Sequence, residues 1–379
     1  MEPVIPEQAA RVGDASSNVR APSTATSLVV GLIRENASFV FVALAFIATA
    51  LALDAIGLIA RPTRRIWFDW LPIQLGIAWA TASVLANAYT KARDPNVSLY
   101  QSAAWQASMS EELRPDRIVG YLLFALLFIP FMSAYAKLKR SIPFWLGGFH
   151  WDGRLAEADR LLHGGTHPWE LIQPLVGTPT LTALIDSAYY LWFPILILTV
   201  TGFAWLPGSR VRIRFLTTFF LTWSVLGIGL ATLLSSAGPC YFGQVVAGGN
   251  PYAPLMQYLN GVSASNDLTA LYVQNYLWTG FTTGSYPIEG ISAMPSLHVA
   301  MATLMWCAMR PVHRLAGPAY FVFLACILLG SVHLGWHYAL DGYVSILLVC
   351  ILWWLTGRLV TACTAERGSD RVSEPSMEE

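Results

Sequence analysis

Two histidine motifs hold the residues of this chain that could do chemistry. Met294-Pro295-Ser296-Leu297-His298 opens one apolar run, and His333-Leu334-Gly335-Trp336-His337-Tyr338-Ala339-Leu340-Asp341 joins the next two. His337 and Asp341 are four residues apart, so on a helix beginning there they share a face and the carboxylate can hold one ring nitrogen. The other nitrogen is left as a nucleophile toward phosphorus, with Asp341 stabilising the charge that develops on the ring. His298 supplies the second acid/base group, protonating a departing alkoxide and later deprotonating an acceptor, a task suited to imidazole with its ordinary pKa of about 6.5. Ser296 and the first amides of a helix with Pro295 in its first turn are placed to donate to phosphate oxygens. The chemistry read from these residues is phosphoryl transfer. A metal site is the alternative, since His333, His337 and Asp341 fall at i, i+4, i+8 and His298 could join them. That alternative leaves Ser296 and Pro295 without a role, and Gly335 interrupts the stripe, so His333 is expected to line the pocket.

Such residues must be positioned by membrane helices. Of 379 residues, 55% are hydrophobic and only 12% charged, the mean hydropathy is +0.50, and the net charge is zero. A soluble fold and a nucleic-acid partner are both disfavoured. Runs of roughly twenty apolar residues suffice to cross a bilayer. Eight are predicted, near residues 37–60, 66–89, 118–136, 180–204, 213–236, 295–310, 315–334 and 341–360, the sixth being short. The expectation is an all-α polytopic helical bundle with both motifs at one membrane face.

The distribution of Lys and Arg orients the bundle. The segments 237–293 and 331–341 contain neither residue, whereas Arg310 and Arg314, the Arg210, Arg212, Arg214 cluster and Arg358 lie at alternate ends. Both motifs are therefore expected on the non-cytoplasmic side, periplasmic or lumenal. Arg61, Arg64 and Arg65 oppose this alternation. Lys137, Lys139 and Arg140 oppose it too, either because they meet anionic phosphate at the site rim or because they contact lipid head groups.

Several flanking features complete the reading. Residues 1–26 are expected to be a disordered tail, 27–117 to carry two additional helices, 118–361 the six-helix catalytic core, and 362–379 a cytoplasmic tail. Asp152 is expected to cap a short helix reaching Gly164, with Leu155, Ala158, Leu161 and Leu162 on one face, lying on the membrane or folded over the protein as a lid. Asp186 either grips a polyol head group or is hydrated at the interface, and Asp54 is placed with the hydrated groups. Gly238-Pro239-Cys240-Tyr241-Phe242 shapes the pocket wall or anchors the interface, and the loop onward to Gly290 could cover the site. His150, His163 and His167 are expected at the surface. The five cysteines suggest no disulfide framework.

Pro295-Ser296-Leu297-His298 followed by His337 and Asp341 resembles the second and third signatures of the type 2 phosphatidic acid phosphatase superfamily. Leu297, where that family usually has Gly, looks closer to its inositol phosphorylceramide synthase-like branch, whose members move a phospho-head-group between lipids. The resemblance covers roughly 118–360 and implies that His337 is the nucleophile, Asp341 its orienter and His298 the proton donor. Ser331 replaces the family's arginine six residues before the nucleophile, and the first signature is absent. Lys137, Lys139 and Arg140 are the candidates to neutralise the phosphate. The expected activity is transfer of a phospho-head-group, such as phosphoinositol, between lipids with no cofactor. The alternatives are a lipid phosphate or polyprenyl diphosphate phosphatase using water, or a transporter using buried His and Asp as a proton relay.

Overall fold

The computed structural model describes residues 35–59, 113–206, 209–284 and 290–372. Among the described residues every regular element is helical. Among the described residues six helices are long and apolar enough to cross a membrane: Ala37–Ala55, Arg117–Trp145, Pro179–Trp205, Arg210–Leu233, Ala316–His333 and Ala339–Thr361. With the shorter Leu297–Met309 they account for seven of the eight expected runs. The run near 66–89 and Arg61, Arg64 and Arg65 lie outside the described residues.

In chain order the elements are α1 (Ala37–Ala55), α2 (Pro115–Trp145), α3 (Asp152–Leu162), α4 (Pro168–Val176), α5 (Pro179–Tyr190), α6 (Trp192–Trp205), α7 (210–233), α8 (Ala253–Asn266), α9 (Thr269–Thr283), α10 (Leu297–Met309), α11 (Ala316–His333) and α12 (Ala339–Val372). The break between α5 and α6 falls at Leu191, three residues before Pro194, which cannot donate to the preceding turn and crowds its carbonyl. α7 widens into π geometry over Thr222–Leu230. There Gly227 admits the Tyr135 ring and Leu297, and a Cβ would stand 2.9 Å and 3.0 Å from them.

α10 is the hub. Val299 through Met305 are all buried, and so are Cys307 and Ala308, because α7, α11, α12 and α6 surround it. A helix apolar all round and enclosed by protein has no need to match the bilayer, which explains its shortness. Large apolar side chains such as Phe41, Leu126, Leu198, Val322, Leu347 and Leu359 instead point outward, as lipid contact requires. In lipid, packing and a few polar bridges hold such helices together, each bridge contributing about 0.6 kcal/mol. Ser38–Thr217 and Thr218–Thr356 at 2.8 Å, and Thr199–Tyr320 at 2.9 Å, are bridges of this kind. α1 adds a tilted ring contact of Phe46 with Phe131 at 4.5 Å and an Asn36–Arg212 hydrogen bond. Its Asp54, expected to be hydrated, pairs with Lys137 at 3.3 Å.

Three expectations are corrected. The segment after Gly238 is a helical hairpin, α8 and α9, turned at Asp267 with φ 47°. The last helix continues to Val372 where a tail was expected. α3 packs against the protein, one of its two expected placements, but its inward face is Leu155, Ala156, Asp152 and Asp159, with Leu161 and Leu162 outward. Trp151 occupies its cap position, and the Asp152 carboxylate serves a different part of the chain.

Candidate active site

The start of α10 carries the first motif. Ser296 is the extended residue before the helix, and its hydroxyl oxygen accepts the Val299 amide at 3.4 Å. Pro295 therefore precedes the cap; it is not a first-turn residue. The amides of Leu297 and His298 donate to no described residue and face outward from a helix start with partial positive charge. The half-buried His298 ring is sleeved by aromatics. Tyr189 stacks on it at 4.9 Å and 27°, Trp192 lies 4.4 Å away, and Trp192 Nε1 donates to the His298 carbonyl at 3.0 Å. Neither nitrogen of that ring bonds a described residue.

The second motif is a turn. Gly335, at φ 73°, reverses the chain between α11 and α12 with no steric penalty. The turn is held on three sides: Gln274 Nε2 donates to Leu334 O at 2.9 Å, Cys240 N to Gly335 O at 2.8 Å, and His337 N to Ser331 O at 3.0 Å. α12 begins at Ala339, so His337 lies just before the helix, and the expected helical face is replaced by a carboxylate reaching back. Asp341 Oδ2 accepts the Tyr338 amide at 3.1 Å and sits 3.4 Å from His337 Nδ1. The shorter contact of that nitrogen is with Ala293 O, at 2.9 Å. A carbonyl only accepts, so Nδ1 is assigned the proton and Nε2 the lone pair. The His298 and His337 ring centres are 6.1 Å apart at 57°, close enough to address one tetrahedral centre.

The remaining candidates divide. Lys139 lies within electrostatic reach of His298 and over the Tyr135 ring at 5.9 Å. Lys137 faces Asp54, and Arg140 is half-buried beside Gly290. Asp186 spends both oxygens on the Thr269 and Ala270 amides at 2.8 and 2.9 Å, so this buried carboxylate anchors the start of α9. Ser331 donates to Ile327 O at 2.8 Å within its own helix. His333 Nε2 bonds Thr182 Oγ1 at 2.9 Å, which in turn meets Tyr258 OH at 2.8 Å. His333 is thus drawn into the α5–α8 contact, and no three His, Cys, Asp or Glu groups among the described residues converge as metal ligands. His150 is exposed, but His167 is buried against Tyr252. The Ala293 carbonyl and the aromatic sleeve escaped the sequence reading, the first because a backbone carbonyl has no residue signature.

A protein-family model described as the PAP2 superfamily matches residues 153–355, from α3 into α12, leaving α1 and α2 outside the match. No curated protein and no solved structure matches the chain.

Proposed function

The chain belongs to the PAP2 superfamily of membrane lipid phosphatases and phosphotransferases, and from that premise we propose that it moves a phospho-head-group between lipids through a phosphohistidine on His337. The observation that carries this reading is the pinned Nδ1 of His337, which leaves Nε2 with the lone pair on a ring whose centre lies 6.1 Å from that of a second imidazole, whose nitrogens bond no described residue.

In the first half-reaction Nε2 attacks phosphorus, the bond to the lipid alkoxide breaks, and His298 gives that oxygen its proton. In the second, His298 takes the proton of an acceptor hydroxyl, whose oxygen attacks phosphorus as the P–N bond breaks. Asp341 balances the charge on the phosphorylated ring. The Leu297 and His298 amides and Lys139 are directed at the phosphate oxygens, Lys139 in place of the family's arginine, while the buried Ser296 hydroxyl caps the helix that presents the amides. A phosphoinositol-type head group passing to a lipid or ceramide hydroxyl is the preferred transfer, on the strength of the Ser-Leu-His motif. The site opens on the non-cytoplasmic side, because Arg214, Arg310 and Arg358 occupy the opposite end against Trp353, Trp306 and Trp354.

The test uses purified full-length protein in detergent with a phospholipid radiolabelled at phosphorus, with and without an acceptor lipid and a chelator. The expected result is a labelled protein adduct that is acid-labile and alkali-stable, and lipid product formed only with acceptor. Free head-group phosphate formed equally without acceptor assigns a phosphatase; no adduct and no turnover refutes both.

A further inference from the structure

His337 and Asp341 are separated by Tyr338, Ala339 and Leu340, whose amides are the open donors at the start of α12. None of the three is left open. Asp159 on α3 accepts Ala339 N through Oδ2 and Leu340 N through Oδ1, each at 3.0 Å, and Asp341 accepts Tyr338 N. Two turns earlier on the same face of that helix, Asp152 accepts the Tyr338 hydroxyl at 2.7 Å. Asp152 also accepts Ala237 N and Gly238 N, both at 2.8 Å. That turn continues the circuit, because Ser236 O accepts Ala293 N at 2.9 Å and Ser236 Oγ accepts Met294 N at 3.0 Å. Ala293 O then holds His337 Nδ1. Both aspartates are almost fully buried, at 0% and 1% exposure. Carboxylates that desolvated are retained only where their hydrogen bonds are complete, and here the bonds run from α3 to both sides of the nucleophile.

We propose that Asp152 and Asp159 are positioning residues that set the nucleophilic imidazole: Asp159 by fixing the start of α12 that carries Asp341, Asp152 by fixing the turn that presents Ala293 O to His337. Neither is placed to touch substrate. Seven residues apart, they lie on one helix face, so α3 acts as a single two-pronged clasp. Occupying the α12 amides also assigns phosphate to the other helix start, at α10, since an amide bonded to Asp159 cannot donate to an oxyanion. The proposal rests on His337 being the nucleophile only for its kinetic arm.

The experiment compares full-length wild type with D159N, D152N, Y338F and, as a control on the outer face of the same helix, E157Q. The first readout needs no turnover: the rate at which diethylpyrocarbonate modifies His337, followed by peptide mass spectrometry on the fraction shown to be folded. It should rise several-fold in D159N and D152N, less in Y338F, and stay unchanged in E157Q. The second is kcat per folded molecule on a phospholipid in mixed micelles. A misplacement of about 1 Å costs up to about 100-fold, so D159N and D152N should lose about 10- to 100-fold in kcat with KM within about twofold. Lowered thermal stability with wild-type His337 labelling and wild-type kcat would make the aspartates merely structural and overturn the proposal. If the two substituted proteins do not fold, Y338F decides by the same readouts. Altered labelling in a protein whose wild type turns over no lipid phosphate keeps the clasp and sinks the enzymatic reading.

Discussion

The starts of α10 and α12 lie side by side, each carries one of the two histidines, and they use their backbone amides in opposite ways. At α12 the amides of Tyr338, Ala339 and Leu340 all end on carboxylates. At α10 the Ser296 hydroxyl takes one amide, and those of Leu297 and His298 have no described acceptor. Two adjacent helix starts with converging positive ends would both attract an anion. Filling one with built-in carboxylates leaves the other as the place where a phosphate is favoured. The same division separates the histidines: His337 is buried and hydrogen-bonded through Nδ1, whereas the His298 ring is half-buried and held by aromatic contacts. In the proposed scheme a nucleophile benefits from one fixed tautomer, whereas a group that gives and takes a proton in turn needs one nitrogen facing the substrate.

Substitutions test that contrast in descending order. His337→Ala should abolish the phosphoenzyme and reduce turnover at least about 10,000-fold, measured by acid-labile label on the protein. His298→Ala should cost about 100- to 10,000-fold while still permitting slow adduct formation, because acid/base assistance, not the nucleophile, is removed. Equal loss of adduct in both would erase the distinction between the two helix starts. Asp341→Asn should be milder than in triads where a carboxylate alone sets the tautomer, about 10- to 100-fold in kcat, since Ala293 O still holds Nδ1. Ser296→Ala should lower stability by about 1 kcal/mol through loss of the cap and raise KM for the lipid phosphate, read from a thermal shift alongside initial rates.

The smallest effect concerns pH. Burial raises the carboxyls of Asp152 and Asp159 above their ordinary value of 3.8, against the opposing pull of the amides each accepts. The folded protein therefore binds these protons more tightly than the unfolded chain. Their contribution to stability is full below pH 3.8 and is lost as pH rises through the raised values. A thermal melting series in detergent from pH 4 upward should show this downward slope, flattened in D152N and D159N; an unchanged slope would mean that the amides dominate burial.

Much of the fold was legible because hydropathy responds to solvent, and a bilayer demands long apolar runs. Seven runs coincide with helices to within a few residues at most ends, and the shortness of the α10 run, visible in the sequence, follows from its enclosure by protein. Misreadings arose where polar residues serve other segments. Asp186 and Asp152 look like head-group and cap residues one at a time, yet each satisfies a pair of amides more than eighty residues away in sequence. The segment after Gly238 lacks a long apolar run because α8 and α9 are short and one-sided, so it resembled a loop.

The residues by themselves determined a membrane-spanning helical chain and named His298, His337 and Asp341 as its candidate reactive groups, since composition fixes the solvent and side-chain type fixes the available proton and electron pairs. Only tertiary structure decided which imidazole nitrogen is held, which helix start stays open to an anion, and that α3 binds the second motif. Those outcomes depend on backbone carbonyls and amides, which every residue has and which acquire meaning only when distant segments are packed within 3 Å of one another.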